Sequence, residues 1–92
     1  MQLNMQAFKS WNKIRVAAAQ QLSITIQKIT ISVQSDKENT YEVLSLVLSL
    51  LHNNRIPLYN AFFTQNEIIL ILGMNDAAKA YEVIREKLYG QE

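Results

Sequence analysis

The chain has 92 residues, 49 % of them hydrophobic, with two glycines, one proline and no cysteine. This composition excludes a disordered or collagen-like chain, and the lack of cysteine excludes both a disulfide framework and a thiolate metal site. The net charge is +1, but residues 1–34 carry four basic and no acidic residues, whereas residues 35–92 carry five basic and eight acidic ones. Because the basic charges are sparse, a solvated or inter-subunit surface is favoured over a nucleic-acid contact.

The sequence contains no pattern typical of a membrane anchor or a secretion signal. No apolar run approaches the roughly 20 residues that a membrane helix needs, and residues 1–4 lack the basic and apolar regions of a signal peptide. We therefore expect a cytoplasmic protein. One small domain of this length buries only about 60 to 65 % of its unfolded surface, so a second copy would help to stabilise it.

Residues 3–22 are rich in good helix formers and have a loose apolar face that includes Ala7 and Trp11. They predict an N-terminal helix, and we divide the chain into a helix or linker over residues 1–22 and a domain over residues 23–92. The aromatic and basic residues near Trp11 would also suit stacking on nucleic acid, although packing is the commoner role of aromatic residues on a helix.

Residues 23–34 alternate apolar and polar side chains, which predicts one strand or two. The apolar positions change phase across Gln27 and Lys28, because Ile26 belongs to one alternating set and Ile29 to the other. A bulge or kink is expected there.

Residues 41–52 predict a long helix that is apolar over most of its circumference. Its polar residues recur at steps of three and four and form one narrow stripe: Glu42, Ser45, Ser49 and His52. Asn39 is placed to cap the helix, and Asn53 and Asn54 are expected to end it before Pro57. The lone His52 lacks a partner for metal binding.

We expect Leu44, Leu48 and Leu51 to face the sheet. Several apolar residues, Leu46 among them, would then need a second neighbour, which could be the N-terminal segment or another subunit. The second solution is the more economical one and favours a homo-oligomer, in the simplest case a dimer.

Residues 58–64 and 68–72 predict a hairpin with a turn at Gln65 and Asn66, the second strand being central and buried on both faces. Asn75 and Asp76 can then begin a closing helix that Gly90 ends. Its expected inner face consists of Ala77, Ala80, Tyr81, Ile84 and Leu88. The order βαββα predicts an α+β, ferredoxin-like fold with its helices on one face of the sheet and an extra N-terminal helix.

The sequence contains no glycine-rich phosphate loop, no nucleophile with a plausible base and no cluster at metal-ligand spacing. We therefore expect no catalysis, no metal site and no cofactor.

Residues 29–33, 41–44, 64–68 and 74–80 resemble an ACT domain, most closely the C-terminal regulatory ACT modules of aspartokinases. The resemblance implies that two modules pair side by side and that a small effector, often an amino acid, binds at their interface. The residues it places at the effector are Ser35, Asp36, Asn39, Thr40, Asn66 and Glu67. An assembly domain of the same fold without a ligand is the main alternative, and nucleic-acid binding is a weaker one.

Overall fold

The computed structural model describes residues 14–34 and 37–89 of the chain. In these ranges the elements are β1 (Ile14–Val16), β2 (Gln20–Gln21), β3 (Ile26–Val33), α1 (Lys37–Asn53), β4 (Asn60–Phe63), β5 (Glu67–Gly73) and α2 (Met74–Tyr89). The strands form one antiparallel sheet in the order β1-β3-β5-β4, and β2 also pairs with β3. The predicted α+β class is confirmed, and the arrangement is compatible with a ferredoxin-like fold.

The extra N-terminal helix predicted over residues 3–22 is wrong where the structure describes it, because residues 14–16 and 20–21 are strands; residues 1–13 lie outside the described part of the chain. Ile14 and Val16 are buried on either side of the exposed Arg15. Burying these β-branched side chains against β3 outweighs the modest helix propensity of the residues that follow. The edge strand therefore precedes the βαββα unit.

The first edge of the sheet contains a bulge. Val16 lies opposite Ile31 and Gln20 lies opposite Lys28, so three residues of this edge oppose only two of β3. Residues 17–19 thus shift the register by one position.

β3 runs without a bulge from Ile26, opposite Gly73, to Ser32, opposite Glu67. The break predicted at Gln27 and Lys28 is therefore wrong. Ile24 lies in the turn before the strand and is 81 % exposed, and Ile26 lies on the face opposite to Ile29. The change of phase needs no bulge, because Ile24 lies outside the strand and Ile26 simply faces the other side of the sheet.

One face of the sheet and one side of each helix form the core. The buried apolar side chains of the sheet alternate along β1, β3 and β5, and those of the helices recur at helical spacing. The fully buried members include Ile29, Ile31, Ile68, Leu70, Leu72, Val47, Ala80 and Ile84.

The polar stripe predicted on α1 is exposed, as expected. The side of the helix that faces the sheet differs from the prediction, because Val43, Val47 and Leu51 are buried whereas Leu48 is 38 % exposed. A helix that is apolar on three sides leaves its rotation undetermined by its own pattern, and packing on the sheet decides it.

α1 ends at Asn53, within the predicted end at residues 52–54, but its start and the residue that adopts the left-handed backbone differ from the prediction. The helix begins at Lys37, so Asn39 lies within its first turn and is not the N-cap. At the other end Arg55, and not an asparagine, adopts the left-handed conformation, with φ 58°.

The end of α1 is a Schellman motif. The Ile56 N–H donates to the Leu51 oxygen at 2.9 Å, and the Arg55 N–H donates to the His52 oxygen at 3.1 Å. Ile56 and Leu51 are both buried, which supplies the apolar contact that accompanies this motif.

The predicted hairpin and closing helix are confirmed. β5 is central, between β3 and β4, and α2 buries Ala77, Ala80, Ile84 and Leu88. The expectation that β5 is buried on both faces is wrong, because Ile69 and Ile71 are only half-buried. Within the described residues neither helix covers their side of the sheet. We call this side the open face; it carries Ile26, Lys28, Thr30, Ser32, Phe62, Glu67, Ile69 and Ile71.

Candidate functional site

The start of α1 and the β4–β5 turn meet at one corner of the molecule. Thr40 is fully buried, and its hydroxyl donates to the backbone oxygen of Gln65 at 2.5 Å. At the end of β3 the Val33 N–H donates to the backbone oxygen of Asn66 at 2.8 Å. These bonds hold together the two segments that the ACT resemblance assigns to an effector.

The expected effector residues do not all converge at this corner. Ser35 and Asp36 lie outside the described residues, and Asn39 belongs to the first turn of α1. Thr40 uses its hydroxyl in a structural bond, and Asn66 is exposed beside it.

Glu67 lies on the opposite side of the sheet from the helices. The next residue, Ile68, is fully buried beneath them, and successive side chains of a strand point to opposite faces. The register places Glu67 beside Ser32, whose neighbour on β1 is Arg15. The carboxylate therefore belongs to the open face, and the Thr40–Asn66 corner lacks it.

A concave region lies along α2, away from this corner, and has a volume of about 920 Å³. The guanidinium carbon of Arg85 is 5.5 Å from the centre of the Tyr81 ring, which occupies part of this surface. The lining comes from a single helix and consists of Asn75, Ala78, Lys79, Tyr81, Glu82, Arg85 and Glu86. With no second element to enclose a ligand, this hollow is open and makes a weaker site than the corner.

The described residues contain no group of three or more histidine, cysteine, aspartate or glutamate side chains suited to a metal. Every buried side-chain nitrogen or oxygen in these ranges has a hydrogen-bond partner. Among the helices that the structure describes, none is long and apolar enough to cross a bilayer.

An apolar surface beside β4 was missed by the sequence analysis. The Tyr41 ring lies 6.2 Å from the Phe63 ring, centre to centre. Tyr41, Leu44 and Leu48 follow one another at steps of three and four along this flank of α1, and we call them the apolar shoulder. The signal for this surface was available in the sequence, because residues 60–63 form a strand without a charged side chain.

Comparison with known proteins does not assign the chain to a family. No family model matches it, and neither a curated protein nor a solved structure matches it.

Proposed function

We propose that the chain is a non-catalytic regulatory module that acts as a dimer and binds a small effector, such as an amino acid, at the corner between α1 and the β4–β5 turn. The observation that carries this proposal is the hydrogen bond from Thr40 to Gln65, which couples the start of the helix to the turn. An effector that shifts one of these segments would therefore shift the other as well.

The chemistry of the corner suits an amino acid's carboxylate. The first turn of a helix has backbone N–H groups without intrahelical acceptors, and these favour an anion. Asn66 is exposed at this corner, and an amide side chain can both donate and accept hydrogen bonds. The resemblance of residues 29–33 and 74–80 to ACT domains supports the same choice of ligand.

A thermal-shift screen of the proteinogenic amino acids tests the proposal. A ligand that binds only the folded form raises the free energy of unfolding by about 2.7 kcal/mol at one hundred times its Kd. The change Asn66→Ala should abolish the shift, since it removes the amide at the corner.

Asn75→Ala is the matched control, because Asn75 is also an exposed asparagine but lies in the first turn of α2, away from the corner. It should leave the shift intact. If no amino acid raises the melting temperature, the effector part of the proposal is wrong.

The second candidate is an assembly domain of the same fold that binds no ligand. Two observations favour it: Glu67 lies on the open face and not at the corner, and the Thr40 hydroxyl is already bonded. A dimer that responds to none of the amino acids would support this candidate.

Binding of RNA gains no support from the open face. Domains that read single-stranded RNA on a sheet stack bases on aromatic residues of the central strands. The described positions of β3 and β5 on this face hold aliphatic, hydroxyl and charged side chains, and Phe62 lies on the edge strand β4.

A further inference from the structure

β4 is an edge strand with backbone groups that point away from the sheet. In the described part of the chain only β5 pairs with it. The Thr64 N–H donates to the backbone oxygen of Glu67 at 2.8 Å. Along an antiparallel pair, residues that are hydrogen-bonded to the partner strand alternate with residues that are not. Phe62 therefore bonds towards β5, whereas the backbone groups of Ala61 and Phe63 point outward.

The Ala61 N–H confirms this direction, because it donates to the side-chain oxygen of Asn60, at 2.8 Å, instead of to β5. That bond is exposed to solvent. Exchanging it for a bond to a backbone carbonyl would cost little, since one neutral hydrogen bond replaces another.

Within the described side chains, neither β4 nor the apolar shoulder carries a charge. Phe62 is 53 % exposed and Phe63 is 38 % exposed, and Tyr41 of the apolar shoulder lies beside Phe63. Edge strands of natural sheets are usually protected by lysine, proline or a bulge. Residues 60–63 contain neither lysine nor proline, and the irregular pairing, in which Tyr59 donates to the Ile71 oxygen opposite Asn60, is confined to the start of β4. Two copies of this surface can meet without electrostatic repulsion, whereas a highly charged partner would find no complementary charge.

We propose that β4 pairs in antiparallel orientation with β4 of a second copy, across a two-fold axis that passes beside Phe62. The two sheets become one continuous sheet, and the two apolar shoulders lie on the same side of it. This inference rests on the dimer of the proposed function and specifies its interface.

The outward backbone groups fix the register of the pairing. Ala61 of each copy exchanges hydrogen bonds with Phe63 of the other, which makes four backbone bonds in all. A register centred on Ala61 would pair that residue with its own copy and leave Phe63 opposite Tyr59, outside β4. In the favoured register the small Ala61 opposes the large Phe63 twice, and Phe62 opposes Phe62 on the open face.

A cysteine cross-link tests this register directly, because the natural chain has no cysteine. The two Phe62 residues form a non-hydrogen-bonded pair, whose Cα atoms lie about 4.5 Å apart, within the range that a disulfide can bridge. We expect Phe62→Cys to form an intermolecular disulfide under mild oxidation, read as a reducible dimer on a denaturing gel.

Asn60→Cys is the matched control. Residue 60 lies on the same face of the same strand, but in this register the two copies of it are four residues apart along the strand, about 13 Å. It should not cross-link. Equal cross-linking of both variants, or none by Phe62→Cys in a protein that is dimeric by sedimentation, overturns the β4 interface and leaves the dimer of the proposed function standing.

A second pair of variants tests the apolar shoulder without changing β4. Leu48→Lys places a charge on the shoulder, and Ser49→Lys places it one residue away on the exposed polar stripe. We expect Leu48→Lys to weaken dimerisation more than about tenfold, because like charges would face each other, and Ser49→Lys to leave it nearly unchanged. Circular dichroism verifies that both variants fold.

Sedimentation of the natural chain completes the test. A monomer at every concentration overturns this interface together with the dimer, while the amino-acid screen judges effector binding independently. Equal weakening by Leu48→Lys and Ser49→Lys also overturns the interface.

Discussion

Arg55 ends α1 with φ 58°, a backbone conformation that is unfavourable for residues with a Cβ. Its role in the Schellman motif depends on the backbone, because the bonds that close the helix run from the N–H groups of Arg55 and Ile56. A glycine would adopt the same conformation without the steric cost.

We therefore expect Arg55→Gly to raise the free energy of unfolding by about 0.5 to 1 kcal/mol, the relief of strain being partly offset by the greater freedom of glycine in the unfolded chain. Urea denaturation measures the change. Arg55→Ala is the control, because it removes the guanidinium but keeps the Cβ. A similar gain from Arg55→Ala would show that the side chain, and not the backbone conformation, was unfavourable.

The left-handed conformation of Arg55 was also the feature of α1 that was hardest to predict from the sequence. Asn53 and Asn54 precede Arg55 and tolerate a left-handed backbone better, so local preference alone favoured them. The apolar contact between Leu51 and Ile56 fixes the position of the cap, and it depends on both residues reaching the same core.

At the scale of elements, β5 separates the two faces of the sheet. Leu70 is fully buried beneath the helices, and its neighbour Ile69 is half-buried on the open face. The aliphatic run Ile68–Leu72 has no polar alternation, so its sequence could not indicate which set of side chains faces the helices.

The two neighbours should respond differently to truncation. Leu70→Ala is expected to cost about 2 to 5 kcal/mol of stability, because it leaves a cavity in the core. Ile69→Ala should cost about 1 kcal/mol, since only part of its apolar area is removed from water. Equal losses in urea denaturation would mean that the open face is covered in solution.

The sequence predicted best those elements in which the residues facing the core form one regular apolar pattern. In α2, Ala80 and Ile84 recur at helical spacing and are flanked by exposed Lys79 and Arg85, so one face is clearly apolar. The N-terminal strand was missed because the alternation of Ile14 and Val16 spans only three residues. Its stability comes from pairing with β3, which is distant in the sequence, and the propensities of the local residues carry no information on that contact.

The candidate site was predicted in part for the same reason. The approach of Thr40 to the β4–β5 turn follows from the order of the elements, and the effector role of this corner stays a prediction. The position of Glu67 does not agree, because it depends on the orientation of β5, which the sequence left open.

At the scale of the whole molecule, the proposed dimer links stability to protein concentration. If the folded chain dimerises and the unfolded chain does not, mass action stabilises the folded form as concentration rises. We expect the melting temperature in scanning calorimetry to increase with protein concentration. The Leu48→Lys variant should show a flatter dependence, and a melting temperature that is independent of concentration for the natural chain would contradict the dimer.

The bulge at residues 17–19 limits how far such an assembly can extend. Pairing through β4 uses one edge of each sheet and leaves the edge formed by β1 and β2 at both ends of the dimer. Within the described residues that edge is divided into strands of three and two residues by the shift in register, so these strands present no continuous ladder to a further chain. If the proposed β4 pairing forms, we expect this divided edge to stop the assembly at two copies instead of a filament.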